Sequence, residues 1–250
     1  MALSGKVAIV TGGSRGIGRA IVGSLTEAGA KVYTVARGPV GPDELPSGAK
    51  ALTADARHAA EVEAVVRAVL ESAGRVDILV NNAGTEVFKP LLETTEAEYD
   101  QVLDTNLKGA FLFTRAVVPT LVAQRAGHLI YIGSISGLRG YADDAVYCAS
   151  KHGLAGLADS LDEELRPHGI RVTLISPGAV DTTLSAETWA PSGDPRRRHF
   201  LQPKDVAQAV IYAASQPPRV VVSHIVLRPH IERPYSEFLP LDSLGGSQGE

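Results

Sequence analysis

Two kinds of hydrophobic pattern alternate along the chain. Short runs rich in β-branched residues are apolar at successive positions, which is typical of strands covered on both faces. Between these runs lie stretches of helical length. The predicted strands are Lys6–Thr11, Lys31–Ala36, Val76–Val80, His128–Gly133, Arg171–Ser176 and Val220–Leu227, with a weaker one at Ala49–Ala54. The predicted helices are Ile17–Ala28, Ala59–Ala73, Glu96–Asn106 leading into Leu107–Gln124, Ala145–Arg166 and Lys204–Ser215.

This alternation predicts an α/β fold. Strand, helix and strand at this spacing indicate βαβ units with right-handed crossovers, hence a doubly wound, mostly parallel sheet of seven strands with helices on both faces. Residues 1–230 show no domain boundary and are expected to form a single domain. Gly38–Pro42 and Ser185–Gln202 are predicted to be irregular. Residues 231–250 are predicted to be a poorly ordered C-terminal extension.

Composition narrows the class of protein. The chain has 250 residues, 44% hydrophobic and 21% charged, as in an ordinary globular protein. A net charge of −4 gives no general attraction to nucleic acid or anionic lipid, so neither is expected as a partner. The apolar run Val7–Val10 is too short for a signal peptide or a membrane span. Cys148 is the single cysteine and no residues have metal-ligand spacing, so we expect a soluble cytoplasmic protein without a metal site.

A glycine-rich turn, Thr11–Gly18, follows the first predicted strand and opens the first predicted helix. In such a turn Gly12 can take the tight bend, Gly16 lets the backbone approach a pyrophosphate, and Gly18 lets the helix sit close on the strand. Free amides at the helix start, aided by the helix dipole, then bind the diphosphate. The glycine spacing differs by one residue from the usual dinucleotide fingerprint. A plain turn is the alternative, but the strand–turn–helix setting favours a nucleotide site.

Two arginines stand where the adenosine ribose of a dinucleotide would bind. An acidic residue at the end of the second strand would bond the ribose hydroxyls and repel a 2′-phosphate, but here Ala36 is followed by Arg37. Together with Arg15 it offers two planar guanidinium groups for one phosphate, which favours NADP over NAD. The alternative is two solvated arginines. Asp55, after the weak strand, is predicted either to bond the adenine amino group or to cap a helix.

A tyrosine and a lysine carry the candidate chemistry. Tyr147 and Lys151 are four residues apart at the start of a predicted helix, so both project from one face. A nearby ammonium favours the phenolate of a tyrosine, whose pKa is otherwise about 10. A tyrosine tuned in this way can exchange a proton with a carbinol oxygen while hydride moves at the adjacent carbon. Ser134 directly follows the predicted strand His128–Gly133, where its hydroxyl could hold the same oxygen. The bare spacing also fits an ordinary amphipathic helix.

In order and spacing, five motifs resemble the short-chain dehydrogenase/reductase family. These motifs are Thr11–Gly18, Asn81–Gly84, Ser134, Tyr147 with Lys151, and Pro177–Gly178. The resemblance covers roughly residues 6–227 and implies a Rossmann-like fold. It implies that Tyr147 is the general acid/base, that Lys151 lowers the pKa of Tyr147 and bonds the nicotinamide ribose, and that Ser134 orients the substrate carbonyl. It also implies that Asn106 holds a helix irregularity and a water that extends the proton relay.

The same resemblance supplies the remaining cofactor contacts. The Val180 backbone would reach the carboxamide, and Thr182 would bond the carboxamide or a phosphate. The residues expected to contact NADP(H), with NAD(H) as the less favoured cofactor, are Gly12, Ser14, Arg15, Gly16, Ile17, Gly18, Arg37, Asp55, Ala56, Asn82, Ala83, Gly84, Tyr147, Lys151, Pro177, Gly178, Val180 and Thr182. The segment at about 183–202 corresponds to the family's variable substrate lid and identifies no substrate.

The resemblance implies an oxidoreductase that interconverts a ketone or aldehyde with an alcohol. A 3-oxoacyl-[acyl-carrier-protein] reductase is an alternative, although Ser223–Pro229 lacks the Gly-Gly close common in such reductases. The run Arg196–Arg198 could draw an anionic partner, but a solvated loop is the favoured interpretation. A non-catalytic NADP(H) sensor or scaffold is a further alternative. Small residues along Gly153–Ala158, and the family's habit of pairing this helix between subunits, predict a homodimer or homotetramer.

Overall fold

Seven parallel strands form one sheet in the computed structural model, which describes residues 1–41 and 45–230. The strands are β1 (Val7–Thr11), β2 (Lys31–Ala36), β3 (Lys50–Thr53), β4 (Ile78–Asn81), β5 (Gly127–Ile132), β6 (Ile170–Pro177) and β7 (His224–Leu227). Their order across the sheet is β3-β2-β1-β4-β5-β6-β7. The order reverses between β1 and β4, and in open α/β sheets ligands bind at the carboxyl ends of the strands beside such a switch point.

Helices cover both faces of the sheet. The α-helices of the described ranges are α1 (Gly16–Glu27), α2 (Ala59–Ala73), α3 (Glu96–Leu103), α4 (Gly109–Gln124), α5 (Ala145–Leu165), α6 (Thr183–Thr188) and α7 (Pro203–Ala214). One buried cluster joins a face of the sheet to α2, α4 and α5, and includes Val66, Phe113 and Leu154. A second joins the other face to α1 and α7 through residues such as Ile21 and Val210. The prediction of a single doubly wound α/β unit is confirmed.

The last strand is shorter than predicted. Pairing with β6 begins at His224, not at Val220. The Thr173 hydroxyl donates to the Val222 carbonyl at 2.7 Å, and the Arg171 guanidinium donates to the Val220 carbonyl at 3.4 Å. Side chains of β6 thus donate to carbonyl groups that would accept from backbone amides if the strand pairing extended this far. The sheet is also parallel throughout its described strands, where the sequence predicted a mostly parallel one.

A helix irregularity separates α3 from α4. The sequence predicts Glu96–Asn106 leading directly into Leu107–Gln124, but Asp104–Lys108 form a π-helical turn between them. Such turns are rare and occur often at functional sites. Asn106 lies inside the turn and is 1% exposed. The irregularity implied by the family resemblance is therefore present at the expected residue.

Two predicted segments fall partly or wholly outside the described residues. The predicted loop Gly38–Pro42 is partly outside, since its last residue, Pro42, is not described. The predicted extension 231–250 is wholly outside. Throughout the ranges that the structure does describe, every helix is too short or too polar to cross a membrane.

His128 is expected to make the fold sensitive to acid. Burial lowers the pKa of this β5 histidine from 6.5 to about 3, and its Nε2 lies 2.7 Å from the Thr173 hydroxyl. Below pH 6.5 the unfolded chain binds a proton at His128, whereas the folded chain does not bind one until about pH 3. The contribution of His128 to the free energy of unfolding is therefore fully present above pH 6.5 and is lost as the pH falls. Between pH 7 and pH 5 the loss should be about 2 kcal/mol.

Urea unfolding at the two pH values measures this loss. The His128→Asn variant, which cannot titrate here, should lose about 2 kcal/mol less between pH 7 and pH 5 than the unsubstituted protein. Equal losses in both proteins would show that His128 is not the titrating group.

Candidate active site

A cavity of about 550 Å³ opens at the carboxyl ends of the strands, beside the switch point. Every residue predicted to contact the cofactor lines it, and so does Ser134. The predicted residues that the fold brings together here are Gly12, Ser14, Arg15, Gly16, Ile17, Gly18, Arg37, Asp55, Ala56, Asn82, Ala83, Gly84, Ser134, Tyr147, Lys151, Pro177, Gly178, Val180 and Thr182. Asn106 alone of the predicted site residues does not line the cavity.

The glycine-rich turn forms one end of the cavity. Gly16 has a φ of +53°, a left-handed conformation that glycine adopts at little cost. A Cβ on Gly18 would lie 2.1 Å from the carbonyl oxygen of Gly12, so a larger residue would push α1 away from the turn. The first turn of α1 has no side-chain cap and no acidic residue. Its amide groups are thus left available to an anion in the cavity.

Asn82 fixes the position of this turn. Its side-chain nitrogen donates to the carbonyl groups of Thr11 and Gly12 at 2.9 and 3.1 Å. In return, the Thr11 hydroxyl accepts from the backbone amides of Asn82 and Ala83, both at 3.0 Å. Asn82 was predicted as a cofactor contact. The structure shows that its amide nitrogen is engaged with the backbone of the turn, so its first role is to hold β1 and β4 together at the cavity.

The charged residues predicted at the adenosine end differ in their surroundings. Arg15 reaches across the cavity mouth to Glu187 of α6, with 3.3 Å between nitrogen and oxygen, and both side chains are more than half exposed. Arg37 lines the cavity at the end of β2. Asp55 accepts hydrogen bonds from Arg57, which lower the pKa of its carboxyl to about 2. Because His58 occupies the N-cap of α2, the cap predicted as one role of Asp55 does not form.

Ser134, Tyr147 and Lys151 meet at the other end of the cavity. The side chain of Ser134 lies close enough to the Tyr147 phenol to lower its pKa. The ammonium of Lys151 lies 5.5 Å from the centre of the Tyr147 ring and donates to the Ile132 carbonyl at 3.0 Å. Lys151 is 5% exposed, so its charge acts in a poorly solvated place. The fold therefore joins a phenol, a hydroxyl and an ammonium at one point of the cavity wall.

The pKa of Tyr147 is raised, whereas the sequence predicted that Lys151 lowers it. Burial has the largest effect, and the carboxyl groups of Glu86 and Asp144 raise it further, while the hydrogen bond with Ser134 lowers it. Burial also lowers the pKa of Lys151 to about 8, although Glu86 favours its charged form. The prediction did not include the two acids, because Glu86 comes from another segment and Asp144, three residues before Tyr147, was given no role.

Asn106 supports the site from behind the cavity wall. Its Oδ1 accepts from the Thr85 amide at 2.8 Å, and its Nδ2 donates to the Thr85 carbonyl and to the Ser150 hydroxyl. The π-helical turn thus connects the segment after β4 with α5, which carries Tyr147. Without the family resemblance, sequence reasoning gave Asn106 no role.

The segment predicted to be the substrate lid, referred to below as the lid, is more ordered than the sequence indicates. The segment from 183 to 202 contains α6 and a 3₁₀ turn at Pro195–His199. Within the predicted solvated run, Arg197 is 16% exposed, is ion-paired with Asp181 and donates to the Ala190 carbonyl. Arg196 bonds Asp194 and lies over the Trp189 ring. The prediction of a solvated loop is therefore wrong for these two arginines, since both hold the lid together.

Comparison with known proteins establishes the family. The profile described as short chain dehydrogenase matches residues 6–192. The chain belongs to the short-chain dehydrogenase family. An uncharacterized oxidoreductase of Staphylococcus aureus (strain USA300) is 36% identical over 232 residues, which are 91% of this chain and 98% of the relative. A second uncharacterized oxidoreductase, from Staphylococcus epidermidis, is 36% identical over 228 residues, 90% of this chain and 97% of the relative.

Solved structures agree with this assignment. A metagenomic short-chain oxidoreductase in complex with NADP is 37% identical, covers 93% of this chain and 100% of its own, and superposes with a TM-score of 0.78. Levodione reductase is 28% identical, covers 90% and 96% of the two chains, and has a TM-score of 0.81. This short-chain dehydrogenase is thus an oxidoreductase with a Rossmann-like fold.

Two residues of this short-chain dehydrogenase's site were missed from the sequence. Glu86 and Asp144 line the cavity and affect the titration of Tyr147. Glu86 lies two residues beyond the Asn81–Gly84 motif, and Asp144 stands three residues before Tyr147. Their positions close to two motifs could have identified them as site residues. Single acidic residues are common on protein surfaces, however, so position alone did not single them out.

Proposed function

We propose that this protein is an NADP(H)-dependent oxidoreductase that interconverts a ketone or aldehyde with the corresponding alcohol. The observation that carries the proposal is the continuity of one cavity. It joins the uncapped start of α1 and two arginines at one end to Ser134, Tyr147 and Lys151 at the other. A dinucleotide binds with its diphosphate at a helix start, so the same cavity can accept the cofactor and a small substrate together.

The residues present fit NADP(H). The free amides of α1 suit the diphosphate, and the guanidinium groups of Arg15 and Arg37 suit a 2′-phosphate. The ion pair of Arg15 with Glu187 is exposed, and a phosphate with about two charges can compete for such a pair. One structural relative is a short-chain oxidoreductase in complex with NADP. We assign the remaining cofactor contacts to the cavity-lining residues predicted from the sequence.

The proposed chemistry divides between cofactor and protein. The bound nicotinamide supplies or accepts the hydride. The hydroxyls of Ser134 and Tyr147 hold the substrate oxygen, and Tyr147 gives it a proton during reduction or takes one during oxidation. The raised pKa keeps Tyr147 protonated at neutral pH, the form that carbonyl reduction requires. Lys151 stabilises the negative charge that develops on the phenol oxygen and bonds the ribose, and Asn106 holds the helix irregularity behind it.

A cofactor-oxidation screen tests the function. NADPH and NADH are each offered with a panel of ketones, aldehydes, ketoacids and ketoesters, and absorbance of the reduced cofactor is followed. We expect oxidation of NADPH with at least one ketone or aldehyde. Cofactor binding without turnover of any panel member would instead support the alternative of a non-catalytic sensor or scaffold.

Arg37→Asp is expected to change the cofactor preference. An acid at this place repels the 2′-phosphate and bonds the free ribose hydroxyls, so the ratio of kcat/KM for NADPH over NADH should fall about 100-fold. Arg67→Asp, which makes the same charge change on an exposed residue outside the cavity, should leave the ratio as it is. If the unsubstituted protein already uses NADH better than NADPH, the roles given to Arg15 and Arg37 are wrong.

The finer assignments belong to the same proposal. A 3-oxoacyl-[acyl-carrier-protein] reductase needs a basic docking face, whereas Arg196 and Arg197 are bound within the lid. Comparing a free β-ketoester with its carrier-bound form separates the two reactions.

We also propose a homodimer or homotetramer in the cytoplasm. The small residues along Gly153–Ala158 of α5 support self-association, since a Cβ on Gly156 would have no atom within 4 Å, and sedimentation velocity tests it.

A further inference from the structure

Two carboxyl groups stand on the wall of the catalytic cavity, and the proposed reaction uses neither. Glu86 lies on the segment after β4, and Asp144 lies at the start of α5, three residues before Tyr147. Both act electrostatically on Tyr147, and Glu86 acts on Asp144 as well. Two acids close to a buried phenol disfavour the negative charge that the phenol develops during reaction. The proposed reaction therefore does not explain their presence.

Asp144 has one carboxyl oxygen to spare. The residue is 4% exposed and occupies the N-cap of α5, yet its side chain makes no capping hydrogen bond. Its Oδ2 instead accepts from the Ser136 hydroxyl at 3.2 Å and from the Cys148 thiol at 3.5 Å. Its Oδ1 is buried without a hydrogen-bond partner among the described residues. A buried polar atom without a partner is costly, and it indicates a place where a ligand group completes the bonding.

Glu86 is held toward the same space by the lid. The Thr188 hydroxyl of α6 donates to its Oε2 at 2.9 Å, and the neighbouring Trp189 side chain lies close enough to lower the pKa of Glu86. Burial raises the pKa of Glu86, against the effect of the Lys151 ammonium. In the part of the chain that the structure describes, neither Glu86 nor Asp144 has an ion-pair partner. Lys151 donates to the Ile132 carbonyl and to neither acid.

We propose that Glu86 and Asp144 form an acidic subsite that selects a carbonyl substrate carrying a hydrogen-bond donor, an ammonium or a hydroxyl group, beside the reacting carbon. The inference rests on the proposed function, because it concerns the substrate of that same cavity. A donor satisfies the spare oxygen of Asp144 and shares Glu86 with the lid. A cationic donor also relieves the repulsion between the two acids, whereas a carboxylate on the substrate would add to it.

Four ketones with one methyl ketone skeleton test the subsite. Aminoacetone carries an ammonium, hydroxyacetone a hydroxyl, butanone a methyl group and pyruvate a carboxylate at the corresponding position. We expect kcat/KM with NADPH to be about tenfold or more higher for a donor-bearing ketone than for butanone, and lowest for pyruvate. Preference for aminoacetone alone would identify an ammonium as the donor, and preference for both would show that a hydroxyl serves as well.

Variants of equal shape link the preference to the two acids. In Glu86→Gln and in Asp144→Asn, the ratio of kcat/KM for the preferred ketone over butanone should fall about tenfold. Asp143→Asn makes the same change one residue away, outside the cavity, and should keep the ratio. A ratio defined within each variant is insensitive to the fraction of protein that folds.

The outcomes separate this inference from the proposed function. If NADPH is oxidised with none of the wider carbonyl panel, the proposed function fails. If the panel contains substrates but the kcat/KM of neither donor-bearing ketone exceeds that of butanone, the acidic subsite is wrong and the reductase function stands. The same conclusion holds if none of these small ketones reacts. A preference that survives both acid substitutions would also overturn the subsite.

Discussion

Tyr147→Phe is expected to lower kcat about 1000-fold and to leave the dissociation constant for NADPH nearly unchanged. The substitution removes only the hydroxyl beside Ser134 and keeps the ring beside the Lys151 ammonium. General acid catalysis by a positioned side chain contributes about 10²- to 10⁴-fold, and the raised pKa shows that this phenol holds its proton at neutral pH. Steady-state kinetics with a substrate from the screen, together with cofactor titration by fluorescence, measures both quantities.

A second tyrosine provides the control for this experiment. Tyr212 lies on α7, is 58% exposed and does not line the cavity, so Tyr212→Phe should behave as the unsubstituted protein does. Near-normal turnover in Tyr147→Phe would refute the role of the phenol as proton donor. Glu86 and Asp144 would then be the acids to examine, because both lie on the same cavity wall.

Lys151→Met is expected to lower kcat about 100-fold or more and, unlike Tyr147→Phe, to weaken cofactor binding. Methionine keeps much of the buried volume but removes the ammonium, which leaves Tyr147 facing the two acids without a compensating cation. The pKa of Lys151 is about 8 because burial disfavours its charge. The ammonium is therefore present below pH 8 and is lost above it, so the rate of reduction should decline as the pH rises through about 8.

The pH profile distinguishes an electrostatic role from a structural one. In the unsubstituted protein the decline should follow the deprotonation of Lys151, and in Lys151→Met that step should disappear from the profile of log kcat. Lys204→Met, at an exposed position on α7, serves as the control for loss of a lysine. A decline above pH 8 that persists in Lys151→Met would assign the titration to another group.

Much of the site was predictable because its residues lie at ends of strands. The turn Thr11–Gly18, the Asn81–Gly84 segment and Ser134 each follow a buried apolar run, and parallel strands bring such ends to one edge of the sheet. Tyr147 and Lys151 were predictable for a local reason, since residues four apart share a helix face. Asn106 was assigned only through the family resemblance, because the π-helical turn that buries it depends on hydrogen bonds to distant residues.

Charge around Tyr147 could not be predicted in the same way. The sequence places a cation four residues from Tyr147, and from that alone a lowered pKa follows. Glu86 comes from another segment, and its effect depends on burial and distance, which only packing establishes. The order within the lid has the same origin, because the partners of Arg197 are residues up to sixteen positions away.

By itself the sequence determined the doubly wound fold, the edge of the sheet that carries the site, and the phenol, hydroxyl and ammonium found there. Periodicity and motif spacing are local properties, and short-range geometry converts them directly into strands, turns and helix faces. The tertiary structure decided where β7 begins, which residues hold the lid together, and that Glu86 lies close enough to affect the titration of Tyr147. Those features depend on desolvation and on contacts between segments far apart in the chain, and no local pattern records them.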